Sequence, residues 1–168
     1  MPRTIRPIRI EGNIAYVPLN LGYEAVIDVA DVPLVDGLNW SVDVKTDTAY
    51  ARRTGPRPER RSLMLHRILM GEPSGMQVDH IDGDGLNNRR NNLRVATVAQ
   101  NQHNQRKARH NTSGFKGVSF HKVTGKWQAS ITIGGKMQHL GLFATASSAA
   151  DAYARASAEL HGEFGRTG

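Results

Sequence analysis

Residues 78–88, VDHIDGDGLNN, place three aspartates, one histidine and two glycines in eleven positions. These acids stand in the most basic part of the chain. Residues 51–110 carry twelve Lys/Arg against five Asp/Glu, net +7, whereas residues 1–50 carry four against seven and residues 111–168 six against three. A localised cationic excess is the electrostatic footprint expected for a phosphate-backbone partner. The acids at its centre then read as a calcium loop, a surface turn or a catalytic metal site.

Calcium fits poorly. Asp82-Gly83-Asp84 opens like an EF-hand loop, but the third ligand position falls on Leu86, the glycine position on Asn87 and the twelfth on Leu93. Zinc fits no better: the chain has no cysteine, and His66, His80 and His103 lack HExxH spacing. A phosphodiesterase site needs a base for water and a hard cation against the scissile phosphate. Asp79 and His80 end a short expected strand, Gln77–His80, so one can act on water while the other holds metal. A polar loop, 81–92, leads to a second strand, Leu93–Ala96. Thr97 and Gln100 then form a capping box for a helix from Val98 to about Lys107. In this strand, loop, strand, helix order, Asn92 follows His80 by twelve residues. Asn101, twenty-one residues after His80, sits where the folded hairpin can bring it beside Asp79. Asp82 and Asp84, set between glycines, read as turn formers, and Asn87 and Asn88 as loop-shaping residues. His66 stays open between a core histidine and a supporting role.

On either side the chain is built of small pieces. Its 168 residues are 39% hydrophobic and only 6% aromatic, which argues against one large core. Residues 13–53 read mainly as short strands, NIAYVPL, YEAVIDV, Trp40–Val44 and Thr48–Arg52. TGPRPERR, 54–61, reads as a loop. LMLHRILM, 63–70, is a buried helix or a strand, since eight residues do not settle the period. Beyond a linker at 108–114, KGVSFHK, KWQASITI and KMQHLGLF read as three antiparallel strands with glycine turns. Thr145–Leu160 is an alanine-rich helix ended by Gly162. In the middle strand Trp127, Ala129, Ile131 and Ile133 form an apolar face for that helix. Gln128, Ser130 and Thr132 form a polar face able to enter a major groove. No apolar run is long enough to span a membrane, and the N-terminus lacks the apolar core of a signal peptide, so a cytoplasmic protein without a membrane partner is expected.

Two resemblances sharpen these readings. LHRILMGEPSGMQVDHIDGDGLNNRRNNLRVATVAQNQHNQRK, 65–107, closely resembles the HNH endonucleases of phage and mobile-intron homing enzymes, in the His-Asn-Asn variant. That resemblance implies a ββα-metal fold with one divalent cation, Mg²⁺ or Mn²⁺. It implies His80 as the general base, Asp79 and Asn101 as metal holders, and Asn92 as the residue that bonds across the loop. Arg89, Arg90 and Arg94 in the same run are then expected to hold DNA. SGFKGVSFHKVTGKWQASITIGGKMQHLGLFATASSAADAYARASAELHGEF, 113–164, resembles the apetala-two-type DNA-binding domain of plant ethylene-response factors. By position this implies that Lys116, Ser119, His121, Gln128, Ser130, Thr132, Met137 and His139 face DNA, with Lys126 and Lys136 flanking. Most of the sheet arginines of the plant pattern are missing.

The sequence therefore predicts an α+β chain in three parts: a β-rich N-terminal segment, 1–61; a ββα-metal nuclease module, 62–110; and, over 111–168, a three-stranded antiparallel sheet packed on one helix. The expected function is a homing-type endonuclease of double-stranded DNA leaving 5′-phosphate and 3′-hydroxyl ends. It would act as a monomer or a DNA-bound dimer, as a nickase if monomeric, in the host cytoplasm if phage-encoded. The alternative is a non-catalytic DNA-binding regulator that uses the nuclease-like part as scaffold. RNA binding fits less well, since no run of stacking aromatics is present.

Overall fold

The computed structural model describes residues 4–104, 110–165 and 167. It divides into two compact units, Met1–Thr97 and Val98–Gly168, each a mixture of helix and antiparallel sheet.

In the first unit β1 (Arg9–Glu11), β2 (Ile14–Pro18) and β3 (Glu24–Asp28) pair in that order. Alternation along β2 and β3 sends Ala15, Val17, Ala25 and Ile27 inward. The turn between these strands is tied down by Asn20, whose Oδ1 accepts from Val42 N at 2.7 Å. After β3 the chain forms α1 (Val32–Val35), a single turn that the strand-rich reading of 13–53 did not contain. Pro33 sits in its first turn, where a missing N–H breaks no intrahelical bond. Next come β4 (Ser41–Val44), β5 (Ala49–Thr54) and β6 (Ser62–Met64), again paired in order. LMLHRILM divides its character: its first residues finish β6, and α2 (Leu65–Leu69) follows at once. The hairpin of β7 (Gln77–His80) and β8 (Leu93–Ala96) has the expected bounds.

These pieces share one core. Trp40, Ile27, Leu65, Val17 and Val35 are its largest fully buried apolar side chains, and Val78 and Leu93 of the hairpin join them. The N-terminal strands and the motif hairpin thus bury the same apolar cluster.

The second unit begins with α3 (Val98–Asn104); the expected continuation to Lys107 lies outside the described residues. β9 (Val118–His121), β10 (Lys126–Ile133) and β11 (Lys136–Phe143) form one sheet with β10 central. α4 (Ala146–His161) is capped by Thr145, whose side chain accepts from Ser148 N at 3.1 Å, and Gly162 ends it at φ +52°. Val118, Ala129 and Ala149 form the small buried centre between sheet and helix. Close approach here requires Gly117: a Cβ would stand 2.1 Å from Tyr153 Cδ2. No helix among the described residues is long and apolar enough to cross a membrane.

Candidate active site

β7 delivers Asp79 and His80 to the mouth of a loop, residues 81–92, that is held on both flanks. On one flank it lies against β3: Val26 N donates to Leu86 O at 2.8 Å and Asn88 N to Val26 O at 2.7 Å. On the other it presses on β5. Gly85 N donates to Thr48 Oγ1 at 2.9 Å, and a Cβ on Gly85 would fall 2.4 Å from Ala49 O. Only glycine allows that contact, because the obstacle is backbone.

Inside the loop the short polar side chains are spent on one another. Asn92 spans the loop: its Oδ1 accepts from Asp82 N at 3.1 Å, and its Nδ2 donates to Asp82 Oδ1 and Asn87 O at 2.9 and 2.7 Å. Asp82 Oδ1 also accepts from Asp84 N, Asp82 Oδ2 from Asn87 Nδ2, and Asp84 Oδ1 from Leu86 N. Burial raises the Asp82 pKa, but these donors outweigh it and leave the carboxyl below its ordinary value. Both aspartates are therefore engaged as turn formers.

His80 is 6% exposed. Its Nε2 stands 3.3 Å from Asn88 Oδ1. Asn88 is fully buried, and its amide nitrogen donates to Leu86 O and Gly85 O, at 2.9 and 3.4 Å. With the NH₂ group committed to two carbonyls, the amide oxygen must face the imidazole. An acceptor opposite Nε2 selects the tautomer protonated there and puts the ring's lone pair on Nδ1. Burial lowers the His80 pKa, and Asn88, Asp82, Asp79 and Asp84 only partly oppose it. The ring is thus neutral near neutral pH, as a base must be. Around it stand His66, edge-on at 4.9 Å between centroids, and Tyr50 at 5.8 Å. His66 is buried too, its Nδ1 has no hydrogen-bond partner, and desolvation chiefly, with His80 and Arg67, takes its pKa down to about 3.

Asp79 pairs across the hairpin with Arg94, at 2.9 Å from Nε and 2.8 Å from Nη2 to Oδ2. Arg89 binds Asp28 and Arg90 binds the buried Asp31, so these three arginines, expected at DNA, each hold a carboxylate of their own unit. Asn101 lies on α3, in the second unit.

In the second unit the strand register sorts the expected DNA-facing residues. Ser119 pairs with Gln128, His121 with Lys126, Ser130 with His139 and Thr132 with Met137. Alternation puts them on the face opposite Val118, Ala129 and α4, and Ser119, Lys126, Thr132, Met137 and His139 are exposed. An irregularity between Ala129 and Ser130 keeps His139 and Met137 in that row. Lys136 is exposed at the hairpin turn, and Lys116 Nζ donates to His103 O at the end of α3, at 2.6 Å.

Sequence reasoning read Asn88 only as a loop-shaping residue, not as the partner of His80, and did not single out Tyr50. The adjacent asparagines look alike in sequence, and only the fold shows Asn88 buried behind His80. Tyr50 carries no motif signal at all. A lone histidine in an apolar run was the signal for His66.

Residues 69–103 match the family model described as HNH endonuclease. The chain is 38% identical to Protein 3.8 of Escherichia phage T7 over 108 residues, 64% of this chain and 88% of that protein. It is 37% identical over 109 residues to an uncharacterized HNH endonuclease of Acanthamoeba polyphaga mimivirus, covering 61% of this chain and 55% of the relative. A stretch of 58 residues is 41% identical to an AP2-like ethylene-responsive transcription factor of Arabidopsis thaliana, 34% of this chain but 12% of that protein. No solved structure matches the chain.

Proposed function

This chain belongs to the family of Protein 3.8 of Escherichia phage T7 and carries an HNH endonuclease domain, and we propose that it is a site-preferring, metal-dependent endonuclease of double-stranded DNA. The observation that carries the reading is the buried, neutral His80, turned by Asn88 so that Nδ1 is its basic nitrogen. In this reaction Nδ1 takes a proton from water, and the water oxygen attacks the backbone phosphorus. The bond from phosphorus to the 3′ oxygen breaks, leaving a 5′-phosphate and, after protonation, a 3′-hydroxyl.

Asp79 is the residue of the first unit that would hold the cation; Asn101, the second holder that the family resemblance implies, lies on α3 in the second unit. Their donors are a carboxylate and an amide oxygen, hard ligands that suit Mg²⁺ or Mn²⁺ with waters and phosphate oxygens completing the shell. Arg94 already pairs with Asp79, so the cation would share that carboxylate with the guanidinium. When bound, the cation would neutralise the scissile phosphate and its leaving oxygen. The open polar face of the C-terminal sheet supports a second role, reading duplex DNA through Ser119, Gln128, Ser130, Thr132, Met137 and His139, with Lys126 on phosphate. The partial likeness to plant transcription factors supports the same role. One catalytic set per chain favours nicking by a monomer.

The test is supercoiled plasmid with the full chain, with and without Mg²⁺. Relaxed circles that need the cation and are absent with His80→Ala support the reading. Equal relaxation by His80→Ala contradicts it.

A further inference from the structure

Eight of the twelve described Lys/Arg side chains of the first unit have an acceptor within that unit. Arg9, Arg61, Arg89, Arg90 and Arg94 pair with carboxylates, Lys45 with Asp43, and Arg6 and Arg67 with backbone carbonyls. Among the described residues of that unit, Arg52, Arg53, Arg57 and Arg60 alone form no ion pair and no side-chain hydrogen bond. All four fall in one hairpin, β5, its loop and β6, and Arg52, Arg57 and Arg60 are exposed. A folded unit that satisfies its other cations and leaves these together in water presents an unneutralised positive edge.

Its position gives that edge a partner. Tyr50, near the start of β5, touches the rings of His66 and His80. Arg52 is two residues on, so it projects from the same face of the strand, about 7 Å further along. Arg57 and Arg60 follow in the exposed loop that joins β5 to β6. Ala51, between Tyr50 and Arg52, turns into the core and fixes which face this is. We infer that the β5–β6 hairpin is a phosphate clamp: Arg52 binds the duplex backbone beside the scissile phosphate, and Arg57 and Arg60 bind backbone phosphates further along the duplex. This rests on the DNA-endonuclease reading and gives the N-terminal segment a binding role of its own.

Counterion release supplies the test. Binding of the full chain, in a His80→Ala background, to a short duplex is measured over a range of salt. Each phosphate contact contributes about 0.9 to the slope of log K against log salt. Relative to that background, R52A/R57A/R60A is expected to flatten the slope by about 2.7, and R52K/R57K/R60K to keep it. Single variants R57A and R60A, in the exposed loop, should each flatten it by about 0.9 and serve if the triple variant does not fold. A change below half of these values, or equal flattening by the lysine variant, overturns the clamp. Plasmid relaxation by the unmodified chain separates the two claims. Cutting with an unchanged slope sinks the clamp alone, a flattened slope without cutting sinks the nuclease reading alone, and no DNA binding sinks both.

Discussion

The two units solve the same problem, presenting polar chemistry from a small fold, in opposite ways. The first encloses His80, the base in the proposed function, beside a real core. Trp40, Ile27, Leu65 and Val17 are fully buried, and His80, Asn88 and Asn92 sit against the elements that cluster supports. The second has a thin centre of Val118, Ala129 and Ala149 and leaves a whole sheet face to water. A base needs a fixed tautomer and a dry environment, so the first unit buries polar groups and satisfies them in pairs. A groove-reading surface, the role proposed for the second unit, needs reach and hydration, and its polar rows are open.

The contrast breaks if deleting a large core side chain leaves the histidine site intact. Trp40→Ala should destabilise the first unit by about 3–5 kcal/mol, lowering its melting midpoint. A variant that melts like the parent would mean the site is not held by this core. Asn88→Ala removes the acceptor for His80 and strands two loop carbonyls, at a cost of roughly 1–3 kcal/mol, and should lower kcat more than KM. Asn88→Asp keeps an acceptor but makes it an anion, which should move the acid limb of activity to higher pH. An unmoved limb with normal kcat would remove Asn88 from its positioning role.

Acid sharpens the same contrast. His66 is pushed from 6.5 down to about 3 in the folded chain, so below pH 6.5 the unfolded chain binds a proton that the native ring refuses. Stability contributed by the neutral ring is present above pH 6.5 and is lost as pH falls toward 3, by about 1.4 kcal/mol per pH unit for one histidine. In denaturant titrations between pH 6.5 and 3, the stability of the parent should fall more steeply with acid than that of His66→Leu, by about 1.4 kcal/mol per pH unit. Identical pH dependence in the two would contradict a buried neutral His66. The smallest effect belongs to the second unit: Ile131→Val, in its shallow interior, should cost about 0.5–1.5 kcal/mol and leave plasmid relaxation unaffected. A larger loss would show that this centre is less thin than it looks.

Much of this was legible in the sequence because the signals were local. The hairpin strands Gln77–His80 and Leu93–Ala96, the three C-terminal strands and the helix after Thr145 follow from alternation, glycine turns and a cap. The turn role of Asp82 and Asp84 was visible in their glycine neighbours. The one-turn helix Val32–Val35 was not, since four residues carry no period. Nor was the seating of the motif loop between β3 and β5, which depends on contacts some sixty and thirty-seven residues apart in sequence. The same distance effect hid the partners of Arg89 and Arg90. Sequence shows their charge, while Asp28 and Asp31 come to them only through the fold.

The central claim is that a neutral His80, oriented from behind by Asn88, is the base of a DNA-cutting site. Its most direct measurement is the single-turnover rate of nicking by the full chain in Mg²⁺, with and without His80→Ala. A loss of about 10²–10⁴ in rate with DNA affinity retained is the predicted result. An unchanged rate in His80→Ala would contradict the claim.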